Sequence, residues 1–255
     1  MIYFIIAFSA SIIGAISGMG GGIIIKPLLD VLGHYDISTI NLLSSFTVLS
    51  MAIASLTKHY YYKTSFDQNM AVILSIGAIV GAMIGDSLLN RIIENSLYPH
   101  MVKQLQNIIL LFLLIFVYVY MNIYKEKIQF HISNRWIIAI IGMSLGFIST
   151  LTGIGGGPIN IMILTLFFSM STKDAVIYSL ILIFFSQFSK VINVLLNGNL
   201  FQYDLTMLIY MIPAGVIGGI IGSNLNKKIP PLTIHKVFNI VLLFTLCTTL
   251  YNIFH

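Results

Sequence analysis

The chain has 255 residues, of which 58% are hydrophobic and only 8% are charged. A soluble globular domain carries about 25% charged residues, so this chain has too few charges to cover a surface that faces water. This composition excludes a soluble enzyme, a disordered chain and a nucleic-acid-binding domain, and it indicates a protein embedded in a lipid bilayer. The net charge of +5 comes from basic residues that fall almost entirely between apolar stretches, where they fix orientation and contact anionic headgroups.

Apolar windows follow one another along the whole chain. A helix that crosses the hydrocarbon core needs about 20 mainly apolar residues. The windows that we predict to cross are eight in number: approximately 2–18, 38–57, 69–89, 97–123, 134–152, 174–196, 204–223 and 232–253. The first lacks the positive region of a cleaved signal peptide and is predicted to be a permanent span. The basic residues of the intervening loops slightly favour both termini outside.

Two further apolar stretches, 22–33 and 157–169, are too short to cross, and each directly follows a triple glycine. Each is therefore predicted to be either the second half of a broken helix or a re-entrant segment. The sequence leaves these two alternatives open.

The two parts of the chain carry the same patterns in the same order, which indicates an internal duplication. The matching pairs are Ser17–Gly22 with Thr152–Gly157, Ser38-Thr39 with Ser171-Thr172, Phe66-Asp67 with Tyr203-Asp204, and Gly81–Gly85 with Gly218–Gly222. Their offsets of 133 to 137 residues are nearly constant. We predict two homologous four-span repeats, 1–128 and 129–255, whose relation is parallel unless a glycine-rich segment removes or adds a pass, which would make it inverted.

The triple glycines are predicted to interrupt helices, because each glycine costs about 1 kcal/mol relative to alanine in a helix. In lipid such a break is tolerated only where it is buried in protein or lines a cavity. Pro158 suits the first turn of a new helix, and a helix that begins there directs unpaired N–H groups and a partial positive charge into the break. We predict that the breaks at Gly20–Gly22 and Gly155–Gly157 face each other across one central anion site.

Polar side chains near the breaks would complete this site, because hydroxyls and amides donate to an anion without the cost of a buried charge. The alternative for each hydroxyl is a bond back to its own helix. Lys26 either attracts the anion or extends to the membrane interface. For Asp86 the alternatives are a proton-coupling acid and, as the favoured interpretation, a helix cap or a water-facing acid. The predicted substrate-binding residues are Ser17, Gly18, Gly20, Gly21, Gly22, Lys26, Asn41, Ser45, Thr152, Gly153, Gly155, Gly156, Gly157, Pro158, Asn160 and Ser179.

Signatures of an enzyme are missing from the sequence. The six histidines fall in loops or at the ends of predicted spans, so no Ser-His pair is predicted within the membrane. No H-E-x-x-H motif, P-loop or metal-ligand cluster is present, and Cys247 is the single cysteine. We therefore predict no catalytic residue, no metal and no cofactor.

The paired glycine motifs resemble those of the sulfite exporter TauE/SafE family, also called the TSUP family. The resemblance is carried by residues 14–22 with Pro27, by residues 146–149 and 155–158, and by the aromatic-Asp pairs that precede the glycine series from Gly77 and Gly218. It covers nearly the whole chain, including the duplication. Ile23 stands where the second motif has Pro158, so the equivalence of the two breaks is left open.

What the resemblance implies is a multi-pass permease of the plasma (inner) membrane for sulfite, sulfonates and related oxyanions or organosulfur compounds. We predict an all-α polytopic protein that moves a small anion by alternating access, driven by a proton gradient or the membrane potential. Its expected partners are the anion and the bilayer, without nucleic acid, and a homodimer is left open. Two alternatives remain at this stage: a passive anion channel, and a membrane accessory subunit without transport of its own.

Overall fold

The computed structural model describes residues 1–64, 66–95, 99–196 and 202–254, and within these ranges the chain is helical with no strand. The helices are α1 (Ile2–Ser17), α2 (Gly22–Leu32), α3 (Ile37–Tyr61), α4 (Gln68–Asn95), α5 (Pro99–Val119), α6 (Arg135–Thr152), α7 (Gly157–Phe168), α8 (Thr172–Leu196), α9 (Leu208–Lys228) and α10 (Pro231–Phe254). A π-helical turn, Tyr120–Tyr124, extends α5. The prediction of an all-α polytopic membrane protein is confirmed.

The predicted apolar windows coincide with α1, α3 to α6 and α8 to α10. Seven helices of the described chain are long and apolar enough to cross a membrane: α3, α4, α5 with its π-helical extension, α6, α8, α9 and α10. Helix α1 has only 16 residues. The exact number of crossings therefore stays a prediction.

Both glycine segments interrupt the helices, as their composition predicts. Helix α1 ends at Ser17, and Gly18 and Gly20 then take φ values of 71° and 72°. Helix α6 ends at Thr152, and Gly153, Gly155 and Gly156 take φ values between 70° and 81°. This left-handed conformation costs about 1–2 kcal/mol for a residue with a side chain, which is why glycine is required at these turns.

Each interrupted pair folds back on itself as a helical hairpin. The Tyr3 hydroxyl, at the start of α1, hydrogen-bonds His34 Nδ1 just beyond the end of α2 at 2.7 Å. In the second pair, the Phe130 and Ile132 N–H groups donate to the Leu166 and Phe167 carbonyls at 2.7 and 3.0 Å. Because the start and the end of each pair lie together, its glycine segment forms the tip of the hairpin. The contacts thus favour the re-entrant alternative over a straight broken helix.

Close helix packing explains the other glycines. A Cβ atom on Gly77, Gly81 or Gly85 of α4 would overlap or crowd the backbone of α6 at Ala139, Met143 and Phe147, and Gly218 and Gly222 of α9 approach α1 in the same way. Small residues four apart form the usual packing seam of membrane helices. In both seams the residue numbers rise together, so α4 runs parallel to α6, and α9 runs parallel to α1.

The packing of the first five helices on the last five is reciprocal. Helix α4 packs on α6 as α9 packs on α1, and α2 packs on α3 as α7 packs on α8. Helices α3 and α8 pack on each other, as do α5 and α10. This is the pattern expected for two halves related by a two-fold axis, while the division into repeats 1–128 and 129–255 stays a prediction.

The helix ends gather on two opposite faces. The linker face carries the connection 125–134, and there Lys173 at the start of α8 donates to the Ile229 carbonyl after α9 at 3.3 Å, and Tyr62 after α3 donates to Asn224 of α9 at 2.6 Å. The termini face carries the start of α1 and the ends of α2, α4, α8 and α10. Within the described chain, the two ends of each of helices α3, α4, α5, α8, α9 and α10 lie on opposite faces. The α1–α2 hairpin begins at the termini face and the α6–α7 hairpin at the linker face.

Candidate functional site

The tips of the two hairpins cross in the interior of the protein. A Cβ atom on Gly22 would lie 2.6 Å from the Ile154 carbonyl oxygen, and one on Gly157 would overlap the Met19 carbonyl oxygen. All four residues are buried. The two contacts are equivalent under the 135-residue offset, so each tip rests on the other in the same way. Such backbone-to-backbone approach needs a residue without a side chain at each position.

Both tips hold buried backbone N–H groups that have no partner. Within the described chain, no backbone or side-chain acceptor is found for the N–H groups of the following residues: Met19 to Ile23 at the first tip, and Ile154 to Gly157 with Ile159 at the second. A buried polar group left unpaired costs about 1–3 kcal/mol. Because the N-termini of α2 and α7 add a partial positive charge, these groups are suited to an anionic ligand.

Unpartnered polar side chains surround the second tip. A Cβ atom on Gly156 would lie 3.1 Å from both Ser149 Oγ and Asn160 Oδ1, and both of these atoms are buried without a hydrogen-bond partner. Asn41 Oδ1 is also buried without a hydrogen-bond partner, and it lies against Gly153. The oxygen and nitrogen of an amide are assigned rather than observed, so Asn41 and Asn160 can each present either a donor or an acceptor to a ligand.

Lys26 lies in the interior and does not extend to the membrane interface. Its side chain is 1% exposed, and its Nζ donates to the Thr152 carbonyl at 2.7 Å and to Gln106 Oε1 at 3.1 Å. The Gln106 amide in turn donates to the Leu151 carbonyl at 2.6 Å. A cation is favoured at a helix C-terminus, so Lys26 of the first hairpin holds the end of α6 in the second hairpin. The alternative of a lysine at the interface is excluded.

The hydroxyls predicted for the site donate to carbonyl groups of the protein. Ser17, Ser45 and Thr152 donate within their own helices to the carbonyls of Ile13, Asn41 and Ile148, at 2.6–2.8 Å. Ser179 reaches from α8 to the Gly18 carbonyl at 2.6 Å. These four hydroxyls brace the helices around the tips in this conformation, and their contact with a substrate stays a prediction. Pro158 lies in the first turn of α7, as its chemistry predicts.

Two residues of this region were not among the predicted ones. Gln106 lies on α5, and no pattern in the sequence connects it with Lys26. Ser149 was within reach of the sequence, because it lies one helical turn before Gly153 and therefore on the same face of α6. The residues at the 135-residue offset from Ser149, Asn160 and Asn41 are Gly14, Ile25 and Val176, so the corresponding polar groups are absent from the first tip.

A large cavity lies away from this crossing. It has a volume of about 1050 Å³, lies between α3, α4 and α8, and is lined mainly by apolar side chains such as Leu56, Ile181 and Phe185. None of the predicted site residues lines it. A cavity of about 30 Å³ lies beside the second tip and is lined by Asn41, Asp86 and Lys190. The size of the first cavity favours it as a ligand site. The polar groups that a small anion needs, however, lie at the small cavity and the second tip.

Comparison with known proteins identifies the family of this chain. The family model described as sulfite exporter TauE/SafE matches residues 3–249. The chain is 27% identical over 275 residues to the probable membrane transporter protein YunE of Bacillus subtilis (strain 168). This match covers 99% of this chain and 97% of the relative. It is also 27% identical over 105 residues to the probable membrane transporter protein MamO of Paramagnetospirillum magneticum, but this match covers 39% of this chain and 16% of the relative. The chain belongs to the sulfite exporter TauE/SafE family of membrane transporters.

Proposed function

We propose that this transporter carries a small oxyanion of the sulfite or sulfonate class across the plasma membrane by alternating access. The observation that carries the proposal is the second hairpin tip, where Gly155 to Gly157 present unpaired N–H groups beside Ser149 and Asn160. A sulfite-sized anion accepts several hydrogen bonds at once, and the N-terminus of α7 supplies about half a positive elementary charge. The buried Lys26 ammonium adds positive charge nearby.

The second tip alone is the substrate site in this proposal. Its partner tip offers N–H groups too, but Gly14, Ile25 and Val176 replace the polar side chains there. An anion at the first tip would meet backbone donors and the Ser44 hydroxyl, which lies 3.2 Å from the Cβ position of Gly22, but no equivalents of Asn160 or Lys26. The first tip instead supports the second by the contacts of Met19 with Gly157 and of Gly22 with Ile154.

The helix directions support inverted repeats, with six full crossings and two hairpins that enter from opposite sides. Transporters built from inverted repeats bind substrate near the midplane and open to either side by rocking one repeat against the other. Energy would come from a proton gradient or the membrane potential, since the chain has no nucleotide-binding motif. This topology replaces eight crossings with six because α1 and α6 return through α2 and α7.

Charge supports one orientation of this topology. The basic residues of the linker face are nine: Lys58, Lys63, Lys125, Lys127, Arg135, Lys173, Lys227, Lys228 and Lys236. The termini face carries only Arg91 and Lys103. Because cytoplasmic loops carry the excess of Lys and Arg, the linker face is assigned to the cytoplasm and both termini to the outside.

The test is transport of radiolabelled sulfite by the purified protein in liposomes. We expect saturable counterflow, and we expect Ser149→Ala and Asn160→Leu each to raise the half-saturating concentration about ten-fold or more, since a hydrogen bond to a charged group contributes about 1.5–3 kcal/mol. Ser144→Ala is the matched control, because Ser144 lies on the same helix but is exposed and bonds back to Ile140. An unchanged half-saturating concentration in both variants would contradict the proposed site.

The same experiment separates the alternatives. Unitary currents without counterflow would indicate a passive channel. An absence of flux with sulfite and sulfonates, together with a partner that co-purifies, would indicate an accessory subunit. Either result would refute the proposed function.

A further inference from the structure

A buried acid and a buried lysine line the small cavity beside the second tip. Asp86 of α4 is 2% exposed and Lys190 of α8 is 5% exposed, and the cavity between them has a volume of about 30 Å³. A space of this size holds about one water molecule. Intramembrane charges are expensive and commonly mark ion or proton pathways. Neither charge takes part in the oxyanion site described above.

The two charges are held close to each other. The Asn193 amide donates to Asp86 Oδ2 at 2.6 Å, which fixes the carboxylate. Lys190 interacts electrostatically with Asp86, and within the described chain no hydrogen bond of its ammonium is found. The lysine therefore has donors available for a ligand, while its charge is offset by the neighbouring acid.

The cavity connects with the second tip through Asn41. This residue lines the cavity, and its Oδ1 lies against Gly153 beside Lys26 Nζ. An anion at the tip is thus one side chain away from the Asp86–Lys190 pair. In a low-dielectric interior, charges at this separation interact much more strongly than in water.

No such pair exists at the equivalent position of the other half. The offsets of 135 and 137 residues relate Lys190 to Ser55 and Asp86 to Ser223. There the Ser55 hydroxyl donates to the Gly219 carbonyl at 3.3 Å, and α9 packs directly on α3. The charges break the symmetry on the same side as the polar residues of the second tip.

We propose that Asp86 and Lys190 form a proton-coupling site, so that one proton moves together with each oxyanion. The inference rests on the proposed function. When Asp86 is ionised, it cancels the charge of Lys190 and repels an anion near Asn41. When Asp86 binds a proton from solution, the carboxylate becomes neutral and the uncancelled lysine attracts the anion. The proton leaves the carboxylate on the opposite side, after the anion has dissociated.

The surroundings leave few other groups to titrate. From α3 the neutral side chains of Ser38 and Asn41 face the cavity, and Tyr203 contributes a phenol from the segment before α9. Phe147 and Thr150 of α6 pack against α4 at Gly85. Arg91, further along α4, is exposed.

The test is accumulation of radiolabelled methanesulfonate, which stays a monoanion at neutral pH, in liposomes with an imposed pH gradient and a clamped membrane potential. For one proton per monoanion, a gradient of one pH unit sustains about ten-fold accumulation. We expect Asp86→Asn to abolish this accumulation but to keep counterflow at equal pH, because exchange needs no net proton movement. Lys190→Gln should weaken anion binding in both assays. Asp36→Asn is the matched control, since Asp36 is an exposed acid on the termini face that caps α3, and Asn retains a cap.

The readouts separate this inference from the function on which it rests. Counterflow in the wild type establishes carrier activity whatever happens with protons. If Asp86→Asn does not fold, a pH-sensitive dye inside wild-type liposomes still decides with methanesulfonate as substrate, because this monoanion has no proton of its own to release and its coupled flux must acidify the lumen with one proton per anion. Wild-type flux without proton movement, or gradient-driven accumulation that survives in Asp86→Asn, would overturn the coupling site and leave the oxyanion site intact.

Discussion

Replacing Gly157 with alanine perturbs the crossing of the hairpin tips most directly. The added Cβ atom would overlap the Met19 carbonyl oxygen, its carbon and its Cα, all of which are backbone atoms. Real contacts of this kind are not closer than about 3.0 Å, so the tips must separate by more than about 1 Å, in an interior packed as densely as an organic crystal. Overpacking of this kind costs about 1–3 kcal/mol, sometimes more.

The expected result is a loss of both stability and transport. For a chain of this size, 1 kcal/mol corresponds to about 2–4 °C in melting temperature, so Gly157→Ala should lower the melting temperature by about 6–12 °C if the cost reaches 3 kcal/mol. An N–H donor displaced by more than about 1 Å no longer makes a hydrogen bond, and sulfite counterflow per folded molecule should fall at least ten-fold. Gly22→Ala should cost less, because its Cβ atom would lie 2.6 Å from the Ile154 oxygen.

Two controls separate the crossing from general effects of alanine. Gly33 has a φ of 65° and open space around its Cβ position, so Gly33→Ala reports the cost of the left-handed conformation alone, about 1–2 kcal/mol. Gly215→Ala crowds the Thr47 carbonyl of α3 away from the tips, and it should lower stability without lowering counterflow per folded molecule. If Gly157→Ala melts and transports like Gly33→Ala, the proposed contact between the tips is wrong.

Two further predictions concern lysines. Lys26→Met removes the buried charge and the donor to the Thr152 carbonyl and to Gln106. Sulfite affinity, measured by thermal shift, should therefore fall at least ten-fold. An affinity equal to that of the wild type would show that Lys26 does not belong to the site. Burial lowers the pKa of the Lys125 ammonium, so the unfolded chain binds this proton more tightly, and the melting temperature should rise as pH increases between the lowered pKa and the ordinary lysine pKa. Lys125→Met should flatten this rise, and an unchanged slope would contradict the reasoning.

The helix breaks could be predicted from the sequence because they depend on local chemistry. Three consecutive glycines make a helix unfavourable. Gly20 and Gly155 adopt a left-handed conformation that other residues avoid. The apolar windows were predictable for the same reason, since length and composition decide whether a helix suits a bilayer. The four-residue spacing of Gly77, Gly81 and Gly85 also indicates close helix packing, although it does not identify α6 as the partner.

The direction of the chain after each break depends on distant contacts and was not predictable. The composition of α2 is the same whether it continues α1 or returns beside it, and the answer comes from Tyr3 against His34. In the proposed topology, counting α1 as a span reverses the loops between α1 and α6, and counting α6 as well returns the later loops to their original side. The reversed loops carry Lys58, Lys63, Lys125, Lys127 and Arg135, which explains why the basic residues were nearly balanced in the sequence. The difference in polar side chains between the two tips was also not predictable from the sequence, because Ser149 and Lys26 contact the second tip only in the folded protein.

The central claim is that the second hairpin tip binds an oxyanion through its backbone. The most direct measurement is an experimental structure with selenite, an analogue of sulfite whose selenium is located by anomalous scattering. We expect selenite oxygens about 2.7–3.2 Å from the backbone nitrogens of Gly155 to Gly157, with Ser149 and Asn160 completing the contacts. Selenite bound only at the first tip, or only in the large cavity near Phe185, would contradict it.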